Sequence, residues 1–274
     1  MKKVSPNLVK RSITAVVGGA LLLSVLIEGG YWGVRLLALT ISVMASLEFG
    51  SVFFKLKDRG LKKTSLVLAV LVFHLIDIYF DQIQYYSVSL LFTFLFAVHL
   101  ISTRSLSQNQ LKSHLIETLA SGFALVYLGA LPLLLVSVYR VAPNWIFFYL
   151  GVIWSGDIGA YLAGKTFGKH LLFPKVSPGK TVEGSLGGLG LSFILGLVLA
   201  KQLFYYQSQQ TVMILTLSVY IFSQIGDLCE SLVKRAVGTK DSGGLLPGHG
   251  GFMDRFDGVI FALPVFYLGL MSLV

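Results

Sequence analysis

The chain has 274 residues, 55% of them hydrophobic and only 13% charged. A soluble domain carries roughly 25% charged residues, so this composition leaves too little polar surface to face water, and lipid is the solvent that suits it. A net charge of +9 would suggest nucleic acid in a soluble protein. Here the cations cluster between apolar runs, which points to membrane topology and to no nucleic-acid partner.

Lys2, Lys3, Lys10 and Arg11 precede an apolar run from Ile13 to Ile27. This start resembles a signal peptide, but no convincing small-x-small cleavage site follows and more hydrophobic segments do, so a retained first helix is expected. A spanning helix needs about 20 mostly apolar residues. Runs that qualify are 12–27, 31–54, 64–80, 85–101, 115–138, 145–163, 183–200, 211–228 and 258–274. The prediction is an all-α integral membrane protein, a polytopic bundle of about nine transmembrane helices. Cys229 is the single cysteine, so an intrachain disulfide is excluded.

Placing the N-terminus in the cytoplasm puts all but three of the 22 Lys and Arg residues on the inner side. The exceptions are Arg140 and Lys201 in outer loops and Arg35 within the second run. Such a bias fixes direction and places the C-terminus extracytoplasmic. Content divides the chain into N-terminal transmembrane helices, 1–140, and a C-terminal transmembrane catalytic region, 141–274, which holds most of the Gly, Asp and Lys clusters. Outside those clusters, Arg35 and Glu48 lie toward span ends and can snorkel, while His74, Asp77 and His99 belong to packing or to the outer interface.

Three clusters fall on or beside the inner face. The first runs from Trp154 through Asp157, Ala160 and Tyr161 to Lys165. On a helix Asp157 and Tyr161 share a face, and a carboxylate inside a span needs a partner or a wet cavity. The second is Lys175-Val-Ser177-Pro178-Gly179-Lys180-Thr181-Val-Glu183-Gly184. Its Gly-Lys-Thr string lacks the glycine that a nucleotide P-loop has five residues before Gly179; Pro174 stands there, with no βαβ context. Lys180, Thr181 and backbone N–H groups before a helix start still favour an anion. The alternative is that Glu183 caps the helix while Lys180 snorkels.

The third cluster runs from Gln224 to Asp257. A helix over 211–235 aligns Asp227, Ser231 and Lys234 on one face. The glycine-rich turn at 243–251 lets backbone amides approach a ligand. Asp254 and Asp257 then open the last helix one turn apart. Carboxylates among several cations suit a hard divalent ion with phosphates. A plain positive-inside loop would account for Lys234, Arg235 and Lys240, but not for the Asp residues among them.

The third cluster resembles the signature of phosphatidate cytidylyltransferases, or CDP-diacylglycerol synthases. Ser231, Lys234, Arg235, Lys240, Asp241, Pro247, His249, Gly250, Gly251, Asp254, Arg255 and Asp257 occupy its fixed positions. The Ser177-Pro178-x-Lys180-Thr181 loop and the Asp157-x-x-Ala160-Tyr161 helix also look like family features, and the strong resemblance covers about 145–267. It implies an integral enzyme of a bacterial-type cytoplasmic membrane, with its active site facing the cytoplasm. Such an enzyme joins CTP to phosphatidic acid, releases pyrophosphate, requires Mg²⁺ and forms a homodimer. Phosphatidic acid is largely dianionic at neutral pH, a phosphomonoester having a second pKa near 6, so no general base is required; offsetting anionic charge is the main task. Asp227 and Asp254 are then expected as metal ligands, followed by Asp257 and Asp157, with room for a second cation. Lys180, Lys234, Arg235, Lys240 and Arg255 would contact phosphates. Ser177, Thr181, Ser231 and Asp241 would contribute further to the substrate site. His249 either protonates the departing pyrophosphate or braces the turn. A transporter would spread its charges through the bilayer depth or show paired interrupted helices; a polyprenol or dolichol kinase would not need the complete signature; a non-catalytic membrane scaffold would not need the Asp set.

Overall fold

The computed structural model describes residues 6–55, 59–80, 84–103, 106–203, 208–239, 242–243 and 250–273. Each of the nine apolar runs coincides with helix. In chain order these are α1 (Pro6–Glu28), α2 (Gly30–Phe53), α3 (Arg59–Tyr79), α4 (Gln84–Ser102) and α5 (Gln108–Ala124). A π-helical segment (Leu125–Ala130) and a 3₁₀ turn (Leu131–Leu133) lead into α6 (Leu134–Val141). Pro132 falls in that turn; it has no N–H to donate and its ring crowds the preceding carbonyls, so regular α pitch cannot continue through it. Then follow α7 (Trp145–Phe167), α8 (Val182–Leu203), α9 (Gln209–Ala236) and α10 (Met253–Met271).

Five helical stretches are long and apolar enough to cross a membrane among the described residues: Gly30–Phe53, Gln108–Val141, Trp145–Phe167, Val182–Leu203 and Gln209–Ala236. Shorter apolar helices occupy Val17–Glu28 and Tyr86–Ile101. The architecture is that of an α-helical membrane protein, with one departure from the all-α expectation. Between α7 and α8, β1 (Leu171–Phe173) and β2 (Ser177–Thr181) form an antiparallel hairpin, pairing Leu171 with Thr181 and Phe173 with Ser177. Alternation is absent there, and Pro178 and Gly179 read as loop residues, so the sequence carried no strand signal.

Two compact units can be distinguished. One comprises Met1–Leu133 with Asp241–Asp254, the other Leu134–Lys240 with Arg255–Val274. In the first unit, charges expected to snorkel are buried instead. Arg35 is 4% exposed and donates to Asp77 Oδ2 at 2.7 Å and to Tyr31 Oη at 2.8 Å. Glu48 is 3% exposed; its partners are described with the site. His74 meets Ser42 Oγ at 3.0 Å, so it belongs to the packing of α2 on α3. A second buried network joins α3 to α5: Lys62 Nζ donates to Glu117 Oε2 at 2.6 Å and meets His114 Nδ1 at 2.8 Å. Glu117 Oε1 accepts the Lys55 backbone N–H at 2.9 Å, and His99 meets Thr118 Oγ1 at 3.1 Å. Lys62, counted in sequence as an inner-loop cation, has no exposed surface. Snorkelling failed as an expectation because partners were available inside the protein: Asp77 on α3 for Arg35, and a backbone N–H with a serine hydroxyl for Glu48.

In the second unit α7 and α8 lie side by side and antiparallel. A Cβ at Gly159 would stand 2.8 Å from Gly187 O, and one at Gly184 would stand 2.9 Å from Ala160 O. Only hydrogen at these positions permits backbones this close, as at small-residue interfaces in membranes. α9 joins the pair through Tyr220, whose hydroxyl donates to Ser185 O at 2.7 Å. Tyr149 of α7 donates to Val259 O of α10.

The Lys62 network gives a stability prediction. Glu117→Ala leaves an ammonium buried without its carboxylate, and breaking such a pair costs about 3–5 kcal/mol. Thermal unfolding in detergent is expected to show a large loss, partly recovered by the double variant Lys62→Met/Glu117→Ala.

Candidate active site

The β1–β2 hairpin presents Lys180 toward α9. Lys180 Nζ forms an ion pair with Asp227 Oδ2 at 2.5 Å and donates to Gln224 Oε1 at 3.2 Å. Gln224 in turn donates from Nε2 to Asp157 Oδ1 at 3.4 Å. One lysine, one amide and two carboxylates from α7, β2 and α9 thus form a continuous polar chain. Lys180 and Asp227 keep 20% and 39% of their side-chain surface, so an incoming polar ligand can reach both.

Local chemistry holds the hairpin in place. Thr181 Oγ1 accepts the Gly184 N–H at 3.1 Å, which makes Thr181 the N-cap of α8. The alternative of a Glu183 cap is therefore corrected. Glu183 reaches backwards instead, accepting the backbone N–H groups of Lys169 at 3.0 Å and His170 at 3.2 Å, and it meets His170 Nδ1 at 2.6 Å. Lys180 does not extend away as a snorkelling cation; it turns to Asp227. Thr181 still has its hydroxyl proton to offer a ligand. Ser177 sits half-buried at the start of β2.

One turn along α9 the expected face continues. Ser231 Oγ donates to Asp227 Oδ1 at 3.4 Å, and Lys234 Nζ pairs with Glu230 Oε2 at 2.9 Å. Arg235 donates from Nε to Val176 O at 3.3 Å, tying the end of α9 to the hairpin turn. Its terminal guanidinium nitrogens carry the remaining N–H donors. Asp257, at the start of α10, is buried and accepts the Gly258 N–H at 2.7 Å. Its charge lies within reach of Asp227 and Lys234. Arg255 is exposed and acts electrostatically on Asp157.

The signature turn is described at its two ends. Asp254 Oδ2 accepts the Gly251 N–H at 3.0 Å and the Ser242 N–H at 3.4 Å. Gly250 has a φ of +81°, in the left-handed region that favours glycine. Glu48 Oε2 accepts the Met253 N–H at 2.8 Å and the Ser242 hydroxyl at 3.2 Å. Lys240, Asp241, Pro247 and His249 lie outside the described residues.

Among the described residues no three His, Cys, Asp or Glu side chains gather into a closed metal cage. Mg²⁺ needs none: it retains waters and takes one or two carboxylates together with substrate phosphates. Asp227, with Asp157 reached through Gln224 and Asp257 within electrostatic range, supplies hard oxygen donors of that kind. The donor set therefore fits a divalent ion at an open site.

Gln224, Glu230 and Glu48 carry connections that sequence reasoning did not assign. Gln224 and Glu230 had a legible signal, since they stand at i−3 and i+3 from Asp227 on one helix. Glu48 had none, because its partners lie about two hundred residues downstream.

A sequence model described as the cytidylyltransferase family matches residues 9–273. A phosphatidate cytidylyltransferase of Staphylococcus saprophyticus is 45% identical over 130 residues, which covers 47% of this chain and 50% of that protein. One from Bacillus subtilis is 45% identical over 129 residues, covering 45% and 46%. One from Staphylococcus aureus is 46% identical over 132 residues, covering 47% and 50%. The chain spans about half the length of the curated relatives it matches. With the family match running through nearly every helix, the chain belongs to the cytidylyltransferase family.

Proposed function

We propose that the protein is a phosphatidate cytidylyltransferase, a nucleotidyltransferase that transfers CMP from CTP to phosphatidic acid. The Lys180–Asp227 pair carries this reading: a cation and a carboxylate in contact, both accessible, within a family of CTP-using enzymes. A phosphate oxygen of phosphatidic acid forms a bond to the α-phosphorus of CTP. The bond from that phosphorus to the bridging oxygen breaks, and its electron pair leaves with pyrophosphate. CDP-diacylglycerol and pyrophosphate account for every atom.

Both reactants are anions, so the residues act by charge and position. Lys180 would hold phosphate oxygens, with Lys234, Arg235 and Arg255 offsetting charge around the triphosphate. Ser231 orients the Asp227 carboxylate, and Gln224 links Asp157 to Lys180. Mg²⁺, when bound at Asp227, would neutralise phosphate charge as a Lewis acid. Asp254, Asp257 and Asp157 complete the proposed metal set, and Ser177, Thr181, Lys240, Asp241 and His249 the proposed substrate and leaving-group contacts. In this reading residues 1–140 are N-terminal transmembrane helices, residues 141–274 the transmembrane catalytic region, and the enzyme a homodimer. The chain then has nine spans with the N-terminus in the cytoplasm, the site at the cytoplasmic face of a bacterial-type membrane and the C-terminus outside; the cation bias of the sequence supports that direction.

Purified protein given phosphatidic acid, labelled CTP and Mg²⁺ is expected to yield CDP-diacylglycerol, with turnover abolished by chelation. ADP formed from ATP without a cytidylyl product would instead identify a kinase. A topology reporter fused after Val274 is expected to read extracytoplasmic; a cytoplasmic signal there would remove the nine-span arrangement.

Lys180→Met keeps the apolar stem and deletes the charge. A charge-assisted bond contributes about 1.5–3 kcal/mol, or roughly 10- to 100-fold. Normal insertion is expected with a fall in turnover of that size, and CTP saturation shifts more than lipid saturation. Lys169→Met is the control, since only its backbone N–H contacts Glu183; equal, small effects from both would exclude Lys180 from the site. Asp227→Asn is expected to cost at least about 100-fold in rate, and near-normal rates at low Mg²⁺ would exclude it as a ligand.

A further inference from the structure

We propose that Glu48 is a positioning residue for the glycine turn that leads into Asp254 at the start of α10. The inference rests on the cytidylyltransferase reading for its kinetic consequence, and on geometry alone for the contact. α2 is a mostly apolar span whose buried Arg35 is paired with Asp77, yet a carboxylate with no cationic partner among the described ion pairs lies buried in its last two turns at 3% exposure. A buried charge is costly unless hydrogen bonds replace its water. The replacements here come from the turn. Glu48 Oε2 accepts the Met253 N–H and the Ser242 hydroxyl, so one oxygen ties together both ends of the segment from 242 to 253.

The packing is specific to that arrangement. A Cβ at Gly243 would stand 2.5 Å from Glu48 Oε1, and a Cβ at Gly251 would stand 2.9 Å from Oε2 and overlap Ser242 Oγ. Glu48 therefore fills the space beside Gly243, and Ser242 together with Glu48 fills that beside Gly251. Asp254 takes the complementary donors, the backbone N–H groups of Gly251 and Ser242. Glu48 and Asp254 thus grip the same two strands of chain from opposite partners. Removing Glu48 deletes the two hydrogen bonds that tie Ser242 to Met253, and the Asp254 carboxylate loses part of the support for its position. Contacts that orient a functional carboxylate are typically worth 10- to 100-fold when lost.

Two measurements test this on the full-length protein. The first is kinetic. Glu48→Ala is expected to lower kcat about 10- to 100-fold and to raise the Mg²⁺ concentration for half-maximal rate, with KM for phosphatidic acid unchanged. Glu48→Gln keeps a carbonyl acceptor for Met253 and is expected to recover part of the rate. The second is hydrogen exchange at Gly251 and Met253, expected to quicken at least about tenfold in Glu48→Ala. Glu117→Gln, which weakens a buried pair elsewhere in the same unit, is expected to leave exchange at those two amides unchanged. Wild-type kcat in Glu48→Ala, or unchanged exchange at Gly251 and Met253, overturns the proposal. If the wild-type protein forms no CDP-diacylglycerol, the functional reading fails by itself, and exchange still decides whether Glu48 holds the turn.

Discussion

A charge surrounded by hydrocarbon must be met by another charge or by hydrogen bonds, and no water is available to repair a mismatch. That constraint orders much of this molecule. Arg35 has Asp77, Lys62 has Glu117 and His114, and Lys180 has Asp227. Each pair joins separate elements, so electrostatic satisfaction and helix assembly are one event. The pairs differ in exposure, and exposure separates their uses. Lys62 is sealed and can only brace α3 against α5. Lys180 and Asp227 keep accessible surface and can exchange their partners for a ligand.

Placing such an open pair requires rigid surroundings. The glycine contacts between α7 and α8 bring two backbones into close approach, and the hairpin that joins them starts from this tightly packed pair. Thr181 and Glu183 then fasten the two sides of the hairpin, one by capping α8 and the other by binding the backbone of Lys169 and His170. Lys180 lies between these two fastenings. A lysine on a long flexible stem has high rotamer entropy, and a fixed root shortens the search its ammonium makes.

The helices were legible because a run of about 20 apolar residues has few alternatives; each of the nine runs lies on helix, and five helical stretches among the described residues are long and apolar enough to cross a membrane. The α9 face was legible for the same reason, since i, i+4 and i+7 spacing places Asp227, Ser231 and Lys234 together once the helix is granted. Other features were not. The link from Lys180 to Gln224 joins residues 44 apart, and the link from Glu48 to Met253 joins residues 205 apart. No periodicity reports contacts at such separations. Arg35 and Glu48 were misread for a related reason: snorkelling is a local rule, and a partner on another helix overrides it. The β-hairpin escaped notice because Pro and Gly mark turns without saying what flanks them.

The Lys180–Asp227 contact also couples the two ligands proposed for it. With the roles proposed for them, a divalent cation bound at Asp227 by itself would strand the ammonium, and a triphosphate bound at Lys180 by itself would strand the carboxylate. Either half-occupied state leaves one charge of the pair without its partner, at a cost that solvent screening at this partly exposed site moderates. The two ligands together replace one ion pair by two and leave nothing stranded. Metal and nucleotide would therefore bind with positive coupling, each raising the other's affinity by the same factor. In the empty site the pair serves as its own counter-ion, a latch that neither ligand opens easily without the other.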